Sequence, residues 1–549
     1  MSFGPLLFSL GLKAVTDVVE EEVEDLDLHV WFLDDGHCGG DIDQLRRVAE
    51  ILVQEGPRHG LILSTRLTSA DPKSKVWGPG LEDEEDPLGL GIIPDHGDGI
   101  MVLGSPVGST RFEEDAIRRR IDKIKTLTEK LESLHDSQLE FVFLRSTLAL
   151  PKLIYVLRTV DPTNHCQLWA DYDEITKAGL ERILAGAVTS EVWEMAKLKV
   201  NDGGLGLRAA VDHGLAAYTA SKLGTQDLVS RILGEEREDH QLSEQIMEKL
   251  AEIFGRPRED LTEEELEGYN QKAISVKVDE RNAHLFTTRI EAEGDVRERA
   301  RVKSLTLQHA GAWLNVTPNP RLGHHLSSQE FVVCLKYRLG LFIYQAGTLC
   351  NLCKAKDKEV VMDQEADHAQ NCNNGGARQG RHNSIRDIIA STAQAASLSP
   401  RVEAKGLIAG SGRRPGDITL PGYPVGMDTL LDVTVVNPVQ TKYREEAAVT
   451  KGVAMEGAKK GKRQLYRGQL EANMVFRPVA FETFGGWDDD SVIICRRIAS
   501  ILARNQGKDE GEQARYLVQR VAMAIQKGNA TMFISRLPEV ESELIDGDI

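Results

Sequence analysis

The sequence predicts an α+β protein built from several domains. At 549 residues the chain is long enough for three or four domains, and 41% hydrophobic and 28% charged residues are typical of globular proteins. Apolar residues recur at helical spacing through the middle of the chain, whereas short apolar runs separated by glycine and polar turns indicate strands nearer the two ends. A compact group of three cysteines and one histidine between positions 350 and 372 indicates a metal-stabilised segment.

Overall charge and cysteine content restrict the class of protein. The formal net charge of −19 argues against attraction of nucleic acid over the whole surface. Basic residues cluster at 118–120, 413–414 and 459–463, and each cluster is either a phosphate contact or a solvated helix face. No apolar run reaches the roughly 18–20 residues of a membrane span. Seven cysteines in so long a chain do not suggest a disulfide scaffold, so we expect an intracellular protein with no membrane partner.

The first 110 residues carry an Asp-Asp pair. Asp34 and Asp35 stand at a strand-to-turn corner, where adjacent carboxylates either hold divalent cations or belong to an ordinary surface turn. Residues 3–8 lie upstream and residues 101–108 downstream. In this order, the three segments resemble the template/primer-binding loop, catalytic hairpin and primer grip of a reverse-transcriptase palm from non-LTR retrotransposons. The resemblance implies that Asp34 and Asp35 are catalytic metal ligands in a partial palm, residues 1–110.

The same resemblance predicts an incomplete polymerase site. Such palms carry another metal-binding aspartate on an earlier strand, for which there is no room before residue 3. Because a two-metal site needs carboxylates from both strands, we expect a truncated polymerase remnant without activity. The alternative is a functional polymerase that obtains the missing strand from a partner chain.

Residues 111–235 are predicted to be helical. Apolar residues from Phe112 to Leu134 recur at helical spacing after a capping-box pattern at 110–113. The later run at 203–207, Gly-Gly-Leu-Gly-Leu, resembles the end of the thumb in the same polymerases, which implies that Arg208 contacts phosphate. Residues 236–300 are charged and polar, and we expect a helical connector over residues 236–345.

A Cys-x2-Cys-x14-His-x3-Cys pattern predicts a zinc knuckle at residues 346–385. Its members are Cys350, Cys353, His368 and Cys372. The first pair forms a tight thiolate turn and the second pair fits one helical turn, so together they can close a tetrahedral site. Four protein ligands leave no open position, and the zinc is therefore expected to be structural. His382 is an alternative ligand.

A nuclease-like pattern follows in residues 386–535. Asp417 stands in a turn that feeds a strand, and Asp432 interrupts the apolar strand 430–436, where an acid is costly to bury unless it binds a cation or a hydrogen-bond donor. Two carboxylates on neighbouring strands with a nearby lysine make the Mg²⁺ site of PD-(D/E)xK nucleases. For Asp417 taken alone, a turn-capping role is the alternative.

The lysine of this pattern is displaced, because Thr434 occupies its usual position. The pattern nevertheless resembles the restriction-like endonuclease domain of one branch of non-LTR retrotransposons, in which the lysine moves to a following helix. That resemblance implies Lys462 as the catalytic amine, with Lys459 as the alternative. It also implies Glu482 as an added carboxylate or as a residue that orients Lys462, while Glu403 is a weaker candidate.

The order of partial palm, thumb, zinc knuckle and endonuclease, ending in an acidic tail at 536–549, resembles the restriction-like-endonuclease branch of non-LTR retrotransposon reverse transcriptases. The predicted function is therefore that of a retrotransposon-derived reverse transcriptase/endonuclease fragment. We expect it to bind DNA and RNA in the nucleus and to nick target DNA with catalytic Mg²⁺. The alternative is a non-catalytic, zinc-dependent nucleic-acid-binding remnant.

Overall fold

The computed structural model describes residues 3–78, 80–81, 84–95, 97–233, 241–356, 358–408 and 413–537. These residues form a mixed α+β protein, which confirms the predicted class. The predicted acidic tail lies outside the described residues from position 538 onward. None of the described helices is long and apolar enough to cross a membrane.

The described helices are α1 (Gly4–Glu22), α2 (Ile42–Glu55), α3 (Thr110–Glu129), α4 (Ser137–Phe143), α5 (Leu150–Thr159), α6 (Cys166–Leu184), α7 (Ser190–Lys197), α8 (Ala210–Leu233), α9 (Glu244–Phe254), α10 (Glu263–Glu267), α11 (Gln271–Glu293), α12 (Val296–Leu305), α13 (Ser328–Leu339), α14 (Asn351–Lys354), α15 (Asp367–Asn371), α16 (Ala377–Ala395), α17 (Arg444–Ala447), α18 (Val453–Tyr466), α19 (Asp489–Gln506) and α20 (Glu510–Ile534). The strands are β1 (Leu28–Phe32), β2 (Asp35–Gly39), β3 (Lys75–Val76), β4 (Ile93–Pro94), β5 (Gly99–Val102), β6 (Ser105–Gly108), β7 (Arg401–Val402), β8 (Ile418–Leu420), β9 (Asp428–Val436) and β10 (Met474–Glu482).

The chain folds into two compact units, each assembled from several chain segments. The first comprises Met1–Ile124, Leu153–Tyr172 and Ala210–Val276, and the second Lys125–Lys152, Asp173–Ala209 and Lys277–Ile549. The linear domain limits read from the sequence remain predictions.

Among the described residues of the first unit, three separate two-stranded sheets accompany the helices. β1 and β2 form an antiparallel hairpin, as do β5 and β6. The segment expected to be a template/primer loop instead begins helix α1, with Pro5 in the first turn, where its missing N–H and fixed φ are tolerated. Val15 and Val19 on α1 are fully buried, and Val19 packs against Val48 and Ile51 of α2. Burial of this apolar stripe stabilises the helical conformation there.

In the second unit, the glycine-rich run serves packing. A Cβ added to Gly204 would lie 2.2 Å from the carbonyl oxygen of Leu198, so only glycine fits. The buried Arg338 guanidinium donates hydrogen bonds to the carbonyl oxygens of Gly204 (3.0 Å) and Val200 (2.9 Å). Arg208, expected at phosphate, is paired with Asp279 at 2.5 Å.

A four-stranded sheet with the order β10-β9-β8-β7 organises the rest of the second unit. β9 runs antiparallel to β8 and parallel to β10, and the parallel pair is joined by the crossover that contains α18. Ile418 of β8 pairs with Leu431 of β9. Helices α16, α19 and α20 pack together, and their apolar faces share one buried core with β8, β9 and β10. This topology puts Asp417, just before β8, beside the middle of β9.

Candidate metal centre and carboxylate–lysine site

The four predicted zinc ligands come together in the second unit. Ligand atoms of Cys350, Cys353, His368 and Cys372 all lie within 4.8 Å of one another. Cys353 Sγ is 3.7 Å from Cys372 Sγ and 3.6 Å from His368 Nε2. Around a tetrahedral zinc ion, sulfur–sulfur and sulfur–nitrogen separations should be about 3.8 Å and about 3.5 Å. The cluster can therefore bind a metal such as zinc, as predicted.

Local structure holds these ligands in place. His368 lies on the short helix α15, where its backbone N–H donates to the Asp363 carboxylate at 2.6 Å. Asn374 Nδ2 donates to Cys353 Sγ at 3.3 Å, and Arg536 Nη2 donates to the carbonyl oxygen of Cys372 at 3.2 Å. The three cysteines are buried. A closed set of four ligands, of which the three cysteines are buried and His368 is half-buried, suits a structural ion and leaves no position for substrate.

Asp432 and Lys462 form an ion pair at the middle of β9. Asp432 is only 4% exposed. Lys462, one turn before the end of α18, places Nζ 2.9 Å from Oδ2 and 3.3 Å from Oδ1 of Asp432. Oδ2 is buried and has no well-oriented hydrogen-bond donor among the described residues. A buried carboxylate with an incompletely satisfied oxygen is suited to a cation or to a polar ligand.

Asp417 lies next to this pair, immediately before the neighbouring strand β8. Its Oδ2 accepts hydrogen bonds from the backbone N–H of Val433 (2.7 Å) and from His382 Nε2 (3.0 Å). Its own N–H donates to the carbonyl oxygen of Leu431 at 2.8 Å. Because Val433 adjoins Asp432 in the chain, the two carboxylates and the Lys462 amine form one cluster, called here the carboxylate–lysine site.

Burial and charge move the pKa values at this site in different directions. Burial raises the pKa of Asp432, and the opposing charge of Lys462 does not cancel this effect. Burial also disfavours ionisation of Asp417, but the hydrogen bond and charge of His382 outweigh it and lower the pKa of that carboxyl. For His382 and Lys462, burial opposes the charged form, yet the neighbouring carboxylates prevail and raise both pKa values. The site thus holds two acids, each beside a basic side chain.

His382, the alternative zinc ligand, is not part of the metal cluster among the described residues and has a different neighbour. It lies on α16 and contacts Asp417, 35 positions later in the chain. No sequence spacing links the two residues. The contact can therefore be recognised only from the packing of α16 against the sheet. Glu403, the weaker nuclease candidate, instead forms ion pairs with Arg386 (2.6 Å) and Arg414.

Lys459, the alternative amine, is buried in another ion-pair cluster. Its Nζ lies 2.6 Å from Asp488 Oδ2, 2.7 Å from Glu456 and 2.9 Å from Asp490. These contacts connect α18 to the start of α19. Lys459 therefore fixes the helix that carries Lys462.

Glu482 lies at the end of β10 and is only 1% exposed. Its carboxylate accepts a hydrogen bond from the Ser304 hydroxyl. Burial raises the pKa of Glu482 to about 7, against the effect of that hydrogen bond. Its described contact is with α12 rather than with Lys462.

Asp34 and Asp35 have a very different environment in the first unit. Both side chains are exposed, Asp34 in the turn and Asp35 at the start of β2, opposite Phe32. In the described part of the chain, neither belongs to a group of three or more ligand-type side chains close enough to hold a metal.

No protein-family model matches this sequence, and no curated protein is detectably similar to it. The argument about function therefore depends on the residues and contacts described above.

Proposed function

We propose that this chain is a retrotransposon-derived protein of the reverse transcriptase/endonuclease type that binds nucleic acid and nicks DNA in a Mg²⁺-dependent reaction. The observation that carries the proposal is the convergence of Asp417, Asp432 and Lys462, which are separated by up to 45 positions in the sequence. Two acids on adjacent strands and a lysine from the following helix are the parts of the nuclease site expected from the resemblance. DNA and RNA are the proposed partners, and the nucleus is the proposed location.

The donor set fits a magnesium ion. Mg²⁺ in proteins is commonly held by one or two carboxylates, with waters and substrate phosphate completing the shell. Asp432 offers the buried Oδ2, and Asp417 offers Oδ1, because its Oδ2 is already engaged by His382 and by the backbone. When bound, the ion supplies Lewis-acid activation of water and of the scissile phosphate.

The protein's own groups have separate tasks in this proposal. The Lys462 amine, held by Asp432, steadies the attacking water or offsets the negative charge that grows on the phosphorus-bound oxygens. His382 donates its hydrogen bond to Asp417 and fixes the direction in which Oδ1 points. The zinc knuckle maintains local structure. The Asp34–Asp35 hairpin is proposed to be a polymerase-derived element without polymerase activity in this chain.

Nicking of supercoiled plasmid tests the proposal. Wild-type protein with Mg²⁺ should convert supercoiled DNA to open circles, and Asp432→Asn should abolish this activity, because it removes a metal ligand. Asp489→Asn is the matched control, since it makes the same chemical change at an exposed carboxylate in the first turn of α19. Lys462→Met should also lose activity, whereas Lys460→Met, at an exposed position on the same helix, should retain it.

Two results would contradict cleavage at this site. One is equal nicking by wild-type protein and Asp432→Asn, which would indicate a contaminating nuclease. The other is an inactive wild-type protein in both Mg²⁺ and Mn²⁺ that still binds DNA, which would favour a non-catalytic nucleic-acid-binding remnant.

A further inference from the structure

A groove on the surface of the second unit is lined mainly by basic side chains. It lies along α19 and the N-terminal half of α20 and encloses about 1090 Å³. His309, Asn315 and Tyr423 line it from other segments. Its charged residues are four arginines and a single glutamate, namely Arg496, Arg497, Arg504, Arg515 and Glu510.

The positive charge of this groove is only partly neutralised from within. Arg504 pairs with Glu510 at 2.9 Å. Arg496, Arg497 and Arg515 form no side-chain hydrogen bond or ion pair within the described part of the protein. Three unpaired guanidinium groups in one groove are unexpected in a chain with a net charge of −19. Such a concentration of charge attracts an anionic partner.

A second cavity, beside α18, differs from the groove because its basic and acidic side chains are equal in number. It encloses about 850 Å³ and contains equal numbers of basic and acidic residues, namely Lys460, Arg463, Arg467, Glu446, Glu456 and Glu471. Charge therefore distinguishes the α19–α20 groove from this cavity, although both are of similar size.

The shape of the groove fits an extended strand better than a single small anion. Arg496, Ser500 and Arg504 follow one another at four-residue intervals on one face of α19. Eight residues of helix span about 12 Å, which is longer than a single small anion such as phosphate. Tyr423, which is half-buried, lines the groove and supplies an aromatic ring for stacking with a base.

His309 does not contribute charge to the groove at neutral pH. Burial, together with the charge of Arg496, lowers the pKa of His309 to about 4. Its ring instead packs edge-on against Trp487, with ring centroids 5.1 Å apart. The positive potential of the groove is therefore supplied by the arginines and does not depend on pH near neutrality.

We propose that the α19–α20 groove binds the phosphate backbone of a single-stranded nucleic acid. This inference rests on the proposed function in one respect, namely that a polynucleotide is the substrate, and it does not require cleavage. The arginines contact phosphates and Tyr423 stacks on a base.

Fluorescence anisotropy with a labelled 20-nucleotide oligothymidylate, without Mg²⁺, tests the groove. The double variant Arg496→Ala/Arg497→Ala should bind about tenfold more weakly at 50 mM salt, and the salt dependence of its binding should fall by a slope of about 1.4. Arg321→Ala/Arg401→Ala is the matched control, because it removes two exposed arginines that lie outside the groove and form no ion pair in the described structure. It should bind like the wild type.

The outcomes separate the groove from the nuclease site. Equal affinity of the groove and control variants would overturn the proposal, as would stronger competition by thymidine monophosphate or inorganic phosphate than by unlabelled oligonucleotide. A preference for duplex over single strand would also overturn it. Arg515→Ala, which lies on the other helix, should weaken binding separately. Binding is measured without Mg²⁺, so a failure of cleavage leaves the result for the groove interpretable.

Discussion

Two regions of this protein each carry a pair of aspartates, and the two pairs differ in exposure to solvent and in the side chains that contact them. Asp34 and Asp35 lie exposed on a two-stranded hairpin. Asp432 lies on β9 of a four-stranded sheet and Asp417 immediately before the neighbouring strand β8, and a lysine and a histidine contact them.

The difference shows how surroundings, rather than residue type, create a reactive carboxylate. An exposed carboxylate on a hairpin is well hydrated, and water weakens its interaction with other charges. Asp432 has lost most of its water and is stabilised mainly by Lys462, so another cation can compete there with a large effect. We therefore expect the two pairs to respond very differently to the same substitution.

Loss of the zinc ion should have the largest effect on the second unit. The buried thiols of the zinc knuckle have no described disulfide partner. A short knuckle depends on its metal for much of its folding free energy. We expect one zinc per chain by elemental analysis. Cys353→Ala should remove it and lower the free energy of unfolding by about 3–5 kcal/mol. Cys166→Ala, at an exposed cysteine, is the control. Stoichiometric zinc in Cys353→Ala would refute this assignment.

Loss of the Lys459 amine should rank second. Lys459→Met leaves the buried Asp488 without its cationic partner, and breaking such a pair costs about 3 kcal/mol. Chemical denaturation measures the loss, and Lys460→Met should change stability by less than about 0.5 kcal/mol because that side chain is exposed. Equal stability of both variants would show that Lys459 does not anchor α18.

The two aspartate pairs should differ in their effect on nicking. Asp417→Asn should slow Mg²⁺-dependent nicking by about 100-fold, equivalent to about 2.7 kcal/mol in the barrier. Asp34→Asn/Asp35→Asn should leave both the nicking rate and the melting temperature unchanged, because these side chains are exposed. A nicking defect in the hairpin variant would break the contrast between the two regions.

The His382–Asp417 contact should give the smallest effect, visible as a dependence of stability on pH. The pKa of His382 is raised, so its contribution is complete below about pH 6.5 and is lost as pH rises through the folded-state pKa. The pKa of Asp417 is lowered, so its contribution is present above about pH 3.8 and is lost in stronger acid. Relative to the wild type, His382→Gln should be less stable by about 0.5–1 kcal/mol near pH 5.5. The difference should shrink at pH 9, and a constant difference would exclude the linkage.

Short-range patterns in the sequence were enough to predict the zinc ligands. All four lie within 23 positions, so their spacing specifies most of the geometry. The helix at residues 110–129 was also predicted, and Ile117, Ile121 and Ile124 are buried on it. Its cap is Ser109, one residue before the predicted capping box.

Contacts that depend on tertiary packing could not be predicted in the same way. His382 meets Asp417 only because α16 packs on the sheet, and Glu482 meets Ser304, which lies 178 positions earlier. The helical start of α1 was missed, although Pro5 followed by Leu12, Val15 and Val19 is a helical pattern. The loop expected at residues 3–8 follows from the resemblance in residue types, whereas the spacing of the apolar residues indicates the helix that the structure contains.

The most direct test of the central claim is anomalous diffraction from crystals of the protein that contain manganese and a non-hydrolysable phosphorothioate oligonucleotide. Our account predicts an anomalous peak about 2.2 Å from oxygens of both Asp417 and Asp432, with the Lys462 amine turned toward the phosphate. At saturating manganese, an empty position between these carboxylates, with the Lys462–Asp432 ion pair unchanged, would contradict a metal-dependent nuclease at this site.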